Sequence, residues 1–309
     1  LNAGTFTNVD LFGEKIEPTD VCVFHDESGD YGHSHWVFTG LFWVRRKDVS
    51  GVVKSLHAIR RRENYWGEIH LNALPKSFEG EYGAKARVAR GWFETWADEL
   101  AGKTWFNVLA VQRNHPKYEH KRFAKDFHAY NRFTAMALKA GLAWHFKNHS
   151  HVRLWVYSDN KTRRPGGILG DGIETDNFED YIAHKLVQDT MFYKGPPVSL
   201  GAMPKCLEFP SDFTSARPEH ELLCLCDVLL GSVAGAIYPN SKQPTKQWFA
   251  KQAARLIQDV RRTPWEQEMD LHRRFSVSYF PNKNGLIYAD GPIDILAEQS
   301  TQLSLFGGC

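Results

Sequence analysis

Val21-Cys22-Val23-Phe24 places four apolar side chains in a row with no polar residue between them. Successive side chains of a strand point to opposite faces, so this run predicts a central strand covered on both sides. It stops at Asp26-Glu27-Ser28-Gly29-Asp30, a polar, glycine-containing turn. Asp26 is thereby set at the end of a buried strand. Trp36–Val44 is β-rich and reads as the partner of a hairpin.

Further along, strands and helices alternate. Residues 47–62 read as a helix ending in Arg60-Arg61-Arg62, and residues 84–100 repeat apolar side chains at helical spacing. Glu68-Ile69-His70-Leu71 is a short segment of no definite type, before a turn at Pro75. Strands are expected at 105–111, 152–157 and 205–209, with helices at 123–147 and 178–189. An apolar helix from Glu219 to Ile237 carries one interior charge, Asp227, and a polar helix spans about 245–261. A β pair is expected at 275–280 and 285–289. The pattern predicts one α/β layer domain over 20–240, preceded by an N-terminal arm (1–19). A C-terminal helix and β extension (241–309) is expected to pack on it.

With 309 residues and 42% hydrophobic content the chain can bury a substantial core. Its formal charge of +2 neither announces nor excludes a nucleic-acid partner. Five scattered cysteines lack the C-x-x-C spacing of a zinc site and read as buried apolar residues in a reducing compartment. No apolar run approaches the roughly 20 residues of a membrane span, so the expectation is a cytoplasmic protein with no membrane partner.

Carboxylates gather where open α/β sheets hold ligands. Asp26 and Glu27 close the first strand, Asp159 closes a later one, and Asp227 interrupts an apolar helix. Burying a lone carboxylate costs several kcal/mol unless a cation or strong donor meets it. Each acid also has a plainer reading. Asp26 and Asp159 are common turn residues, Glu68 is an ordinary solvated glutamate, and Asp227 can serve an arginine or a subunit interface. The combination points to chemistry; no single residue does.

Asp26-Glu27-Ser28-Gly29-Asp30 after an apolar strand resembles the opening motif of the domain of unknown function 3800 family of microbial proteins. Glu68-Ile69-His70 is similar to that family's E-(I/L)-(H/K) motif, and Val156-Tyr157-Ser158-Asp159 to its strand-plus-Asp motif. Leu222 to Gly231, with Asp227 inside, resembles its L-Q-x-A-D-x-x-x-G helix, although Cys226 stands at the usual Ala. The likeness spans about 21 to 236 and leaves the tail uncovered.

The resemblance implies a ribonuclease-H-like fold, a mixed five-stranded sheet flanked by helices, in which Asp26, Glu68, Asp159 and Asp227 are catalytic metal ligands. Asp26 would bridge, and Glu27, pointing away by strand alternation, would be an alternative or outer partner. His70 would orient a ligand or shuttle a proton. Carboxylate oxygens suit Mg²⁺ or Mn²⁺, and two such ions about 4 Å apart could hydrolyse a phosphodiester of RNA or DNA. Lys161, Arg163 and Arg164, just after Asp159, are candidate phosphate contacts of the nucleic-acid substrate. The competing reading is a non-catalytic binding or assembly subunit, possible as a homo-oligomer through the aromatic tail. A phosphotransferase with a nucleophilic Asp26 ranks last, because Asp26-Glu27-Ser28 departs from D-x-D-x-T.

Overall fold

The computed structural model describes residues 17–100, 102–123, 125–159, 177–189, 193–262 and 274–281. Strand β1 (Thr19–Ser28) is longer than the apolar run suggests. Asp26, Glu27 and Ser28 remain in the strand because the hairpin partner β2 (Trp36–Arg45) pairs them with Gly40, Thr39 and Phe38. The turn starts only at Gly29. There φ is +94° and a side chain would meet the Trp36 carbonyl at 2.5 Å, so glycine is required.

Helices α1 (Val49–Glu63) and α2 (Ala84–Asp98) follow, then β3 (Thr104–Gln112), antiparallel to β2. Helix α3 (Asp126–His145) leads into β4 (Val152–Asp159), which lies parallel to β1 with His25 opposite Ser158. Beyond α4 (Phe178–Val187), two short strands, β5 (Val198–Leu200) and β6 (Lys205–Leu207), both pair with β4. Helices α5 (Pro218–Ile237) and α6 (Pro244–Arg262) precede β7 (Phe275–Phe280).

The result is a seven-stranded mixed sheet in the order β5-β4-β1-β2-β3-β7, with β6 also on β4. The short β5 has no counterpart in the sequence expectation, and the sheet exceeds five strands. β7 joins the sheet edge, parallel to β3. The expected partner at 285–289 lies outside the described residues, as do 1–16.

Alternation along the strands sorts the core into two halves. Cys22, Phe24, Phe38 and Phe42 face α1, α2, α5 and α6, whereas Val21, Val23, Leu41 and Trp43 face α3 and α4. Both sides of β1 are covered, as its apolar run requires. Among the described residues α5 is the one helix long and apolar enough to cross a membrane, with a mean hydropathy of 1.6. The expectation of no such run missed it because Glu219, Glu221 and Asp227 interrupt the sequence. In the fold, 78% of its most apolar window is buried, which makes it the central core helix.

Candidate active site

Strand alternation decides where each acid goes. On β1 the row facing α5 is Cys22, Phe24, Asp26; on β4 it is Trp155, Tyr157, Asp159. Phe24 and Tyr157 are register partners, and their rings stack at 5.3 Å. Asp26 and Asp159 are the next positions along the same two rows, beyond this aromatic floor. The strands run parallel, β4 ending at Asp159 and β1 two residues beyond Asp26, so the acids stand near the carboxyl edge of the sheet.

Helix α5 brings the third acid. Its residues before and after Asp227 are packed in the core, and Asp227 is 9% exposed against 6% for Asp26. Leu71 donates its backbone N–H to Asp227 Oδ2 at 2.6 Å. His70 Nδ1 lies 2.7 Å from Asp227 Oδ1, a close polar contact without the in-line geometry of a hydrogen bond. These contacts tie the segment bearing Glu68 and His70 to α5. The D-x-x-x-G spacing has a steric reason: Gly231, one turn after Asp227, lets the segment close, since a Cβ there would lie 2.3 Å from Leu71 Cδ2.

A second anchor lies beneath the same segment. Arg60 and Glu221, both fully buried, pair at 2.9 Å between Nε and Oε2. The Arg60 guanidinium also donates to the carbonyls of Gly67 (2.7 Å) and Tyr65 (3.3 Å) and stacks over Trp92. Nη2 of Arg60 and Oε1 of Glu221 are buried without a hydrogen-bond partner among the described residues, but the Nε and Nη1 donors hold the backbone that presents Glu68.

Glu68, Asp159 and Asp227 line one recess of about 20 Å³, together with His220, Leu223 and Cys224. The three acids come from a loop, a strand end and a helix far apart in sequence. Asp26 is beside this recess but does not line it. It is near enough for its charge, with that of Asp227, to help hold the Cys226 thiol well above its usual pKa, after burial as the main cause. One Asp26 oxygen, Oδ1, accepts the Glu27 N–H at 2.9 Å. Glu27 points to the opposite face, toward Tyr31 of the α3 side, as alternation requires. Lys161, Arg163 and Arg164 lie outside the described residues.

Sequence reasoning missed His220. It sits in the first turn of α5, where its Nδ1 accepts the Arg217 N–H at 2.9 Å, which leaves the ring proton on Nε2. Burial lowers its pKa. Also missed was the buried network on the other face: His25 Nδ1 lies 2.8 Å from Ser158 Oγ, and Nε2 3.3 Å from Thr134 Oγ1. Burial lowers the His25 pKa to about 3, so the ring is neutral.

The donor set is one for a hard cation. Three carboxylates on one small recess supply the oxygen ligands that Mg²⁺ or Mn²⁺ prefers. A volume of about 20 Å³ admits one water-sized species. Among the described residues no three His, Cys, Asp or Glu side chains yet stand close enough together to hold an ion. No protein-family model matches the chain, and no curated protein matches it.

Proposed function

We propose that this protein is a divalent-metal-dependent nuclease of ribonuclease-H-like fold, related to the domain of unknown function 3800 family. The observation that carries the reading is the convergence of Glu68, Asp159 and Asp227 on one recess, with Asp26 beside it at the next strand end. Support for the fold comes from the topology: an antiparallel β1-β2-β3 meander, then β4 returning parallel to β1.

Glu68, Asp159 and Asp227 would hold Mg²⁺ or Mn²⁺, which would supply an activated water and charge stabilisation at a phosphodiester. Asp26 adds negative charge at the recess edge and can complete the ligand set. His70 and the Leu71 N–H fix the orientation of Asp227, the role that outer partners play for metal ligands. His220, with its proton on Nε2, can donate a hydrogen bond into the recess.

Purified protein should cleave RNA or DNA when Mg²⁺ or Mn²⁺ is supplied. Asp227→Asn should lose more than the ~10- to 100-fold expected for an outer partner. Cleavage that persists in both Asp26→Asn and Asp227→Asn would mark a contaminant and end the assignment. A second reading, a non-catalytic binding subunit, draws on the absence of a preformed ligand cluster among the described residues. It predicts nucleic-acid binding that is indifferent to the metal.

A further inference from the structure

A second, larger cavity opens on the other side of the Leu71–Asn72 wall. It holds about 600 Å³ between the β1–β2 connection, the Leu71–Ala73 turn and the α5–α6 junction. That is within the about 300–1,000 Å³ range of small-ligand sites. Leu71 and Gly231 border it; Leu71 also donates its N–H to Asp227, and Gly231 leaves room for the Leu71 side chain. The cavity and the acidic recess are therefore neighbours along one edge of the sheet.

Their linings differ in sign. The recess has three acids; among the described residues no Asp or Glu lines the cavity. Lys246 and Gln247 enter from the first turn of α6, whose helix dipole adds partial positive charge. Asn72 and Asn240 bring amide donors and acceptors, and His33 and His35, both exposed, border the mouth. Tyr238 follows the last residue of α5 with 41% of its surface exposed, a large aromatic side chain left open at a cavity of mixed polar and apolar lining. Lys246 Nζ lies 3.5 Å from Asn72 Oδ1. The α5–α6 connection is in turn fastened to the turn beyond Leu71: Gln243 donates to the Leu74 carbonyl at 2.7 Å and Thr245 to that of Pro75 at 2.7 Å. The cavity wall is built, not a gap between loose loops.

We propose that this cavity is a binding site for single-stranded nucleic acid, holding a nucleotide that flanks the one at the acidic recess. Tyr238 offers a face for an unstacked base, the amides of Asn72 and Gln247 reach base or sugar edges, and Lys246 meets a phosphate. A duplex keeps its bases stacked and cannot offer one to Tyr238, which selects single strands. The substrate class named here rests on the nuclease reading, but the binding site itself stands apart from cleavage.

The test uses the full chain in EDTA with two 5′-fluorescein 12-mers of mixed sequence, one RNA and one DNA, read by fluorescence anisotropy. Tyr238→Ala should bind about tenfold or more weakly, the scale of one lost base stack, while Tyr238→Phe binds like the parent. Lys246→Ala should lower the salt slope by about 1. The weaker of the two probes identifies which sugar the site disfavours. Parent-like binding by Tyr238→Ala and Lys246→Ala overturns the proposal, and so does a parent that binds neither probe. Cleavage with Mn²⁺ is scored separately. If the parent cleaves while the cavity variants bind normally, the cavity assignment falls and the nuclease reading survives. If the cavity variants weaken binding while Asp159→Asn and Asp227→Asn leave cleavage untouched, the reverse holds.

Discussion

The ends of β1 and β4 carry two adjacent residue pairs that do opposite things. His25 and Ser158 face α3 and close a buried hydrogen-bonded network with Thr134, with Tyr130 Oη 3.4 Å from Ser158 Oγ. Asp26 and Asp159, the very next residues, face α5 and stand at the acidic recess. One face holds a neutral imidazole with both ring nitrogens engaged; the other gathers carboxylates. A period of two lets one strand end serve both as a clamp and as a site. The clamp fixes the register of the strands, and the register sets the two acids side by side.

The comparison breaks most readily at Arg60. Arg60→Ala strands the buried Glu221 charge and should cost about 3–5 kcal/mol in a denaturant titration. Replacing both partners, Arg60→Met with Glu221→Leu, should recover much of that stability. It should still weaken metal binding, because Gly67 and Tyr65 lose the donors that hold the Glu68 segment. If the double variant binds metal normally, Arg60 serves only the core.

The clamp face is sharpened by Ser158→Ala. It removes the 2.8 Å partner of His25 in a buried setting and should cost about 1–3 kcal/mol while leaving Mn²⁺ affinity unchanged. A fall in affinity without a fall in stability would merge the two faces. Gly231→Ala should act the other way round, costing about 1–3 kcal/mol by overpacking against Leu71 and lowering activity by loosening the hold on Asp227.

A further effect is one of pH. Folded His25 stays neutral down to about pH 3, whereas an unfolded histidine takes a proton near 6.5. The unfolded chain then binds the extra proton, so this contribution to stability is full above pH 6.5 and falls as the pH drops toward 3. The slope approaches about 1.4 kcal/mol per unit. His25→Gln should flatten that window in urea titrations at stepped pH, whereas an unchanged slope would assign it to other groups.

Much of this arrangement is legible in sequence because it depends on local pattern. The apolar run of β1 demands cover on both faces, and Asp227 stands out inside an apolar helix. Assigning Asp26 to a turn failed because pairing with Gly40, not local propensity, keeps the strand going through it. His25 gave no signal, since a histidine between Phe24 and Asp26 looks like the edge of a loop until Ser158 is brought 2.8 Å away. Arg60 read only as one of three arginines ending a helix, because its partner Glu221 is 161 residues distant. The cavity at the α5–α6 junction is made by surfaces that meet only in the fold.

The central claim is that Glu68, Asp159 and Asp227 bind a divalent cation at one recess. Calorimetric titration with Mn²⁺ tests it most directly, on the full chain and on Asp159→Asn, Asp227→Asn and Ser158→Ala. The account predicts saturable binding in the parent and in Ser158→Ala, with affinity lost in both acid variants. Absence of binding in the parent, or equal binding in all four proteins, would contradict it.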